Sequence, residues 1–400
     1  MYTVKFDLNK DEYENFAGKN GYFLQAWDWA AVKDEWNHLY VGAYDENGQL
    51  AATALVLIKP LPMGYSMYYI PYGPVGSDLQ AHKALLAELK QYGRRHKAVF
   101  IKFAPDTLRR EWVLAEEERP EAAGQDVVDF YVNECGATHL GYTENISDTI
   151  QPRITMGVEL KDDFEEHFTK SRKADLRKLK KYYPSLEIYT GETITPEALD
   201  AFANLVHQTE DKKNIRLRDE DYFAKILHAM EGGRLYLEKV DLGRAKKEAD
   251  TKVNDLQARY DKLADTSKKK KSLENQLKEA KAWQEKVSAL AEKYGENPYA
   301  SGILAIEYNR KSNLLYMGNM QEISPSAYLY TEIFRDAKER GCTFADMLGI
   351  EGTLDGGLTR HKTGYGSKVQ EYIGEFDIPV STAMYKVLMP VYNYKKHHVE

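Results

Sequence analysis

The chain is poor in cysteine. Its two, Cys135 and Cys342, lie too far apart in sequence for a CxxC pair or a zinc spacing. That excludes a disulfide scaffold and reads as a cytosolic, disulfide-free protein. Long apolar runs are missing as well. The longest, residues 51–58, is broken by Thr53 and ends at Lys59, far short of the roughly 20 residues a spanning helix needs. The opening MYTVKFDLNKDEYENF holds neither an apolar signal core nor a cleavage site, so export is not expected. Also absent are the GxxxxGK(S/T) phosphate loop, the GxSxG elbow, HExxH and a helix-opening GxGxxG. The ten histidines are scattered except for His397-His398. No metal or cofactor is therefore expected.

What is present is a body of ordinary globular composition, 43% hydrophobic and 29% charged over 400 residues, long enough for two domains or more. The net charge of -7 argues against a generic nucleic-acid binder, yet the charge is uneven. Residues 241–294 carry 14 basic against 10 acidic side chains, whereas the remainder carries 41 against 52. This segment has no proline and one glycine, Gly243. Its apolar residues recur in two heptad-like series, Leu242, Ala245, Ala249, Val253, Leu256, Tyr260, Leu263 and Leu273, Leu277, Ala280, Trp283, Val287, Leu290, Tyr294. Between them lie Asp265-Thr266-Ser267 and four lysines, Lys268 to Lys271. The pattern predicts an antiparallel coiled-coil hairpin, 241–295, with a basic tip. Strand-like segments flank it at 234–239 and 302–308, so the arm replaces a turn between paired strands.

With the arm set aside, one order appears twice. Strands at 49–58 and 67–71, a helix at 81–95 and a strand at 98–103 are answered by strands at 302–308 and 314–318, a helix at 326–340 and a strand at 343–348. Asn47-Gly48 predicts a type I′ hairpin turn. The expected fold is mixed α/β (α+β): one domain over 1–150, a second over 151–240 plus 296–380, and a C-terminal segment, 381–400, packing back on the first. The stretch 170–181 (KSRKADLRKLKK) has seven basic residues and one acid, with Leu176 and Leu179 as an apolar edge. It reads as a helix whose basic face either serves solubility or meets phosphates. His361-Lys362-Thr363-Gly364-Tyr365-Gly366 is a near match to the (Q/R)xxGxG loop that holds a pyrophosphate in acyl-CoA acetyltransferases, with a plain tight turn as the alternative.

Four blocks in register, FLQAWDWAAVKDEW (23–36), YYIPYGPV (68–75), TEDKKNIRLRDEDYF (209–223) and ADMLGIEG with GLTRHKTGYGSKVQEYIGEFDIPV (345–380), resemble the FemABX family of peptidoglycan aminoacyltransferases. The coiled-coil arm makes the chain similar to the FemA and MurM/MurN branch. The resemblance implies two tandem GNAT-like domains. It further implies transfer of an amino acid (Ala, Ser or Gly) from aminoacyl-tRNA to the stem-peptide amine of a peptidoglycan precursor, lipid II. Aminoacyl-tRNA is then a co-substrate rather than a cofactor, and contact with the membrane surface is peripheral, at its inner face. The missing motifs agree with this, because an aminoacyl ester is already activated. The enzyme has to position two substrates, deprotonate an amine and stabilise an oxyanion.

The resemblance also assigns residues. Lys33 and Trp36 look like the precursor-binding lysine and its aromatic neighbour, with Trp36 otherwise a core aromatic. Arg218 and Tyr222 match the family's Arg-x-x-x-Tyr. Arg216 is a rival for the first place, and a surface ion pair with Asp219 or Asp221 is the plainer reading of Arg218. Tyr316 looks like a pocket tyrosine or strand packing. Lys362 stands where the family has a catalytic lysine that steadies the oxyanion or the tRNA terminus, although His361 precedes it in place of phenylalanine. Asp106 stands near the family's aspartate after a strand. Two other readings are a GNAT-type or tRNA-dependent acyltransferase acting on proteins or small amines, and a non-catalytic coiled-coil interaction protein.

Overall fold

The computed structural model describes residues 1–400 apart from 117, 214–217, 265–267, 324–325 and 399–400. Among the described residues two sheets form the frame. The first runs, in spatial order, β1 (Thr3–Phe6), β2 (Asn37–Tyr44), β3 (Leu50–Leu61), β4 (Tyr65–Ile70), β5 (Ala98–Phe103), β15 (Phe376–Pro379) and β7 (Thr138–His139). The second runs β9 (Ser185–Tyr189), β10 (Gly233–Lys239), β11 (Tyr299–Tyr308), β12 (Lys311–Asn319), β13 (Phe344–Gly349), β8 (Ile154–Glu159), β14 (Lys368–Tyr372) and β6 (Leu108–Val113). The two sheets follow one plan. β3 and β4 pair antiparallel, α3 (Leu79–Arg95) crosses over, and β5 returns parallel to β4. In the second sheet β11, β12, α10 (Ser326–Glu339) and β13 repeat that sequence of pairings. A parallel pair needs such a crossover, and a helix of 14 to 17 residues with one apolar face supplies it.

Sheet membership departs from a division at residue 150. β6, in the N-terminal part of the chain, forms the edge of the second sheet, and β15, near the C-terminus, lies between β5 and β7 in the first. Side chains explain the attachment of β6. Glu371 on β14 is buried and accepts from Arg109 and Arg110 of β6 (2.7 and 2.9 Å), Arg119 (2.8 Å) and Arg153 (2.8 Å). Burial alone would raise this carboxyl, but the four guanidiniums hold it at about 2. The C-terminal helix α12 (Thr382–His398) sets Tyr385 against Phe100 of β5, with its hydroxyl donating to Asp377 of β15 at 2.8 Å.

The Asn47-Gly48 turn is not type I′, which needs positive φ at both central residues. Only Gly48 is left-handed, at φ 76°, while the Asp45 side chain accepts from the backbone N–H of Asn47 and Gln49. The type I′ geometry occurs instead at Asn309 and Arg310 (φ 46° and 58°), which link paired Tyr308 and Lys311. The HKTGYG glycines do not open a helix either. They close α11 (Gly357–Thr363) and lead into β14, and a Cβ on Gly364 would lie 3.0 Å from the Arg172 guanidinium. This loop is a turn packed on a side chain.

Between β10 and β11 the chain leaves the sheet as α8 (Leu242–Asp261) and returns as α9 (Lys268–Tyr294). The two helices run antiparallel, with Gln284 bonded to Asp250 at 2.7 Å near the root and Lys281 to Gln257 at 3.3 Å further out. Leu242, Ala245, Ala249, Val287 and Leu290 belong to the main core. Beyond them, among the described residues, Val253, Leu256, Leu273, Leu277 and Ala280 form a cluster of their own, with Tyr260 and Leu263 packed against it. The outer arm therefore projects from the body, α8 alone being about 30 Å long. Residues 265–267 of the tip lie outside the described residues.

Candidate active site at the junction of the two sheets

The first half contributes a short helix, α2 (Trp29–Val32), with Lys33 at its C-cap. The second contributes α7 (Glu220–Ala229), which Asp219 caps by accepting from the Tyr222 N–H at 3.0 Å. That bond spends the carboxylate next to Arg218 on the helix. α2 and α7 are clamped by Lys225 on Asp34 (2.7 Å), and in the gap Lys33 Nζ donates to Tyr222 Oη at 2.7 Å. The Arg218 guanidinium lies 5.0 Å from the Tyr222 ring, and Tyr316 of β12 meets that ring edge-on at 6.2 Å. Four of the residues assigned by resemblance, from segments almost 300 positions apart in sequence, thus meet at one point. Arg216 lies outside the described residues.

The electrostatics are one-sided. Desolvation lowers Lys33 to about 8, with Arg218 as the next cause and Lys225 and Lys59 adding to it; Glu35 opposes them. Burial raises both phenols, Tyr222 and Tyr316, so each keeps a hydrogen to donate. Tyr222 accepts from Lys33 and gives its own hydrogen to Tyr316, which also accepts from Arg218, so the four groups form one chain of hydrogen bonds. Two cations and two hydroxyls facing one half-buried spot form a site for an anion with several oxygens. Trp36 closes the same turn, its N–H donating to the Lys33 carbonyl at 2.9 Å. Its half-buried ring carries the Lys59 ammonium at 5.3 Å and packs against the core.

Lys362 is placed apart from this group. It sits on α11, 3% exposed, with Nζ donating to the carbonyls of Met347, Leu348 and Gly349 at the end of β13. An ammonium has three hydrogens, so contact with an oxyanion requires one of these bonds to be exchanged. His361 beside it accepts from Arg172 at Nδ1 (3.2 Å), and its backbone carbonyl accepts from the same guanidinium at 2.8 Å. Burial first, then Arg172 and Lys362, hold this imidazole near 4, hence neutral.

A second polar group at the junction was not picked out from sequence. Asp346 of β13 is buried and accepts from Tyr22 Oη of the first half (3.1 Å) and from the Leu348 N–H (2.7 Å). Tyr22 stacks on Tyr72 at 4.1 Å, and Tyr72 meets Tyr372 at 5.4 Å. Burial raises Asp346, against the pull of Lys311 and Lys362. Asp106 has exposed surface in the loop after β5, yet desolvation raises its carboxyl too, again opposed by Lys311. A carboxylate inside the apolar strand FADMLG is the one sequence signal that could have marked Asp346. Among the described residues no cluster could hold a metal, and no helix is long and apolar enough to cross a membrane.

Comparison with known proteins agrees with this frame. The FemAB family profile matches residues 8–393. A lipid II:glycine glycyltransferase of Staphylococcus haemolyticus is 27% identical over 418 residues, covering 97% of this chain and 95% of that protein. Its counterpart in Staphylococcus aureus USA300 is 28% identical over 423 residues, with the same coverage. The crystal structure of FemX superposes with a TM-score of 0.75 at 25% identity, covering 96% of this chain and 99% of that one. The C-terminal domain of a putative lysylphosphatidylglycerol synthetase from Agrobacterium fabrum shares the fold, with a TM-score of 0.51 at 10% identity over 96% of this chain and 95% of that one. Matched from end to end by the family profile, the chain belongs to the FemAB family of peptidoglycan-branch aminoacyltransferases.

Proposed function

We propose that this enzyme moves Ala, Ser or Gly from aminoacyl-tRNA to the stem-peptide amine of lipid II, using two GNAT-like units and working at the inner face of the membrane. The observation that carries the reading is Lys33 and Arg218 brought together, with Glu35 the one acid among the described residues that acts on Lys33 and the hydroxyls of Tyr222 and Tyr316 beside them. Like charges in a partly desolvated gap cost free energy until an anion fills it. The diphosphate of a lipid precursor suits the gap, because a guanidinium fork, an ammonium and two phenols can each take a phosphate oxygen.

In the reaction the acceptor amine attacks the ester carbonyl of the aminoacyl-tRNA. The C–N bond forms, the amine loses a proton, the ester C–O bond breaks and the tRNA ribose oxygen leaves with a proton. Asp106 is assigned as the group that takes the amine proton, since its carboxylate has exposed surface at the junction, within electrostatic reach of Tyr72, Tyr372 and Lys311. Asp346, enclosed by Tyr22 and the Leu348 N–H, is assigned to hold the two halves in register. Lys362 is assigned to the oxyanion step, either by releasing one carbonyl or by aiming the 347–349 backbone it grips. Incubation with labelled alanyl-, seryl- and glycyl-tRNA and lipid II tests the reading. Label reaching the lipid is the expected result. Label reaching protein or small amines instead, or no transfer from any of the three, overturns it.

A further inference from the structure

The two basic features of the sequence, the 170–181 segment and the arm, come together at the root of the arm rather than at its tip. α5 (Lys170–Leu179) buries Leu179 and half-buries Leu176 against the body, and the turn after it places Tyr182 in the main core. Trp283 of α9 lands on this turn, 5.0 Å from the Tyr182 ring, and the Lys181 ammonium sits 3.6 Å over the indole. Desolvation lowers Lys181, and the next causes are Lys286 and Lys252 of the arm and Lys178 of α5. Lys178, Lys181, Lys252 and Lys286 are all exposed. Several nearby acids are engaged: Asp250 by Gln284, Glu248 by Tyr183 and Arg244, and Asp175 by Lys178 at 4.0 Å and Arg172 at 3.8 Å.

We propose that the corner between α5 and the root of the arm is a docking surface for the phosphate backbone of an RNA duplex, with Lys178, Lys181, Lys252 and Lys286 as the contacts. Shape favours RNA over a lipid surface. α5 lies on the body while, among the described residues, the apolar seam of the outer arm forms a cluster of its own and the arm projects, so the four lysines line a re-entrant corner. A plane such as a bilayer cannot reach into it, whereas the convex edge of a duplex can. Trp283, half-buried beneath Lys181, supplies the rigid wall that aromatic–lysine interleaving gives nucleic-acid grooves. The position also suits the chemistry. The corner lysines lie on α5, the turn after it and the arm, whereas the gap residues lie at α2, α7 and β12, and both groups rest on the one main core that holds Leu179, Tyr182, Phe223 and Ile226. A polyanion at the corner and a lipid diphosphate at the gap therefore engage different residues. The inference rests on the reading that the donor is aminoacyl-tRNA.

The test is the triple variant Lys181→Gln, Lys252→Gln, Lys286→Gln in the full chain. Affinity for uncharged tRNA and for an acceptor-stem minihelix is measured from low to moderate salt, together with binding to phosphatidylglycerol vesicles. The three lysines are surface groups, and circular dichroism reports whether the fold is kept. Expected are a loss of ten- to a hundredfold in tRNA and minihelix affinity at low salt and a salt slope shallower by about three, one per phosphate contact. Wild type that binds tRNA with a triple variant of equal affinity and slope overturns the corner and leaves the donor reading standing. Wild type that binds no tRNA overturns both. Loss of vesicle binding with tRNA binding intact overturns RNA as the occupant and transfers the surface to the membrane.

Discussion

The pocket around Lys33 makes a pH-linked prediction. Desolvation and the neighbouring Arg218 bring the ammonium from 10.5 down to about 8, a bias of roughly 3 kcal/mol toward the neutral form at 1.36 kcal/mol per tenfold change. A lowered lysine pKa means the cation is present below about 8 and lost above it. An anion that needs the cation then binds with a proton taken up, and its affinity falls about tenfold per pH unit once the free pocket has deprotonated. The suitable probe is a short-chain, water-soluble lipid II analogue, whose diphosphate diester keeps its charge between pH 6 and 10. Calorimetry in buffers of different ionisation enthalpy should give about half a proton taken up at pH 8. Lys33→Arg, charged throughout, should bind with a flat profile and no uptake, and Lys33→Met should bind weakly at every pH. Wild type and Lys33→Arg with the same slope would show that Lys33 does not face the diphosphate.

Arg218→Met and Lys33→Met should each weaken acceptor use ten- to a hundredfold, from ~1.5–3 kcal/mol per charge-assisted bond, with little effect on tRNA binding. Initial rates at varied lipid II check this, and a double-mutant cycle should show coupling because both cations address one group. Replacing the outer arm, 253–280, by a short turn should leave a folded body, since the root residues Ala245, Ala249, Val287 and Leu290 keep their places in the main core; loss of the cooperative thermal transition would refute it. Lys362→Met should cost stability as well as rate, about 2–4 kcal/mol in urea denaturation, because three backbone carbonyls lose a buried donor. An unchanged midpoint with lost activity would instead place the lysine wholly in the chemistry. Tyr22→Phe should cost about 1–2 kcal/mol by leaving Asp346 without a bond across the junction.

What could be read from the chain follows from the range of the forces involved. The arm was legible because a heptad seam is a local periodicity, and Leu256 and Leu277 are buried where that seam places them. The repeated strand–strand–helix–strand order was legible for the same reason. The exchange of β6 and β15 was not: it depends on Glu371 meeting Arg109 and Arg110 some 260 positions away, which no window of sequence contains. The Asn47-Gly48 turn failed on competition, because the Asp45 carboxylate captured the backbone donors of Asn47 and Gln49 and kept Asn47 out of the left-handed region. Within the site, Lys33, Arg218, Tyr222 and Tyr316 came from family likeness and not from residue physics. Burial, which does most to lower Lys33 and which marks Asp346, is invisible until the sheets are assembled.

The placement of β15 has a consequence for how the protein is made. The first sheet owns β1 to β5 from the opening hundred residues, yet its sixth strand is Phe376–Pro379, and β7 is held through that strand. During synthesis the N-terminal sheet leaves the ribosome with β5 as an open edge, its Phe100–Phe103 backbone unpaired on one side, until residues 376–379 have emerged. Closure of that edge then follows β14, which pairs with β6 and β8 in the other sheet only a few residues earlier in the chain. A released fragment ending at residue 370 should accordingly be protease-sensitive around 98–103 and chaperone-bound, and one extended past 380 should be resistant.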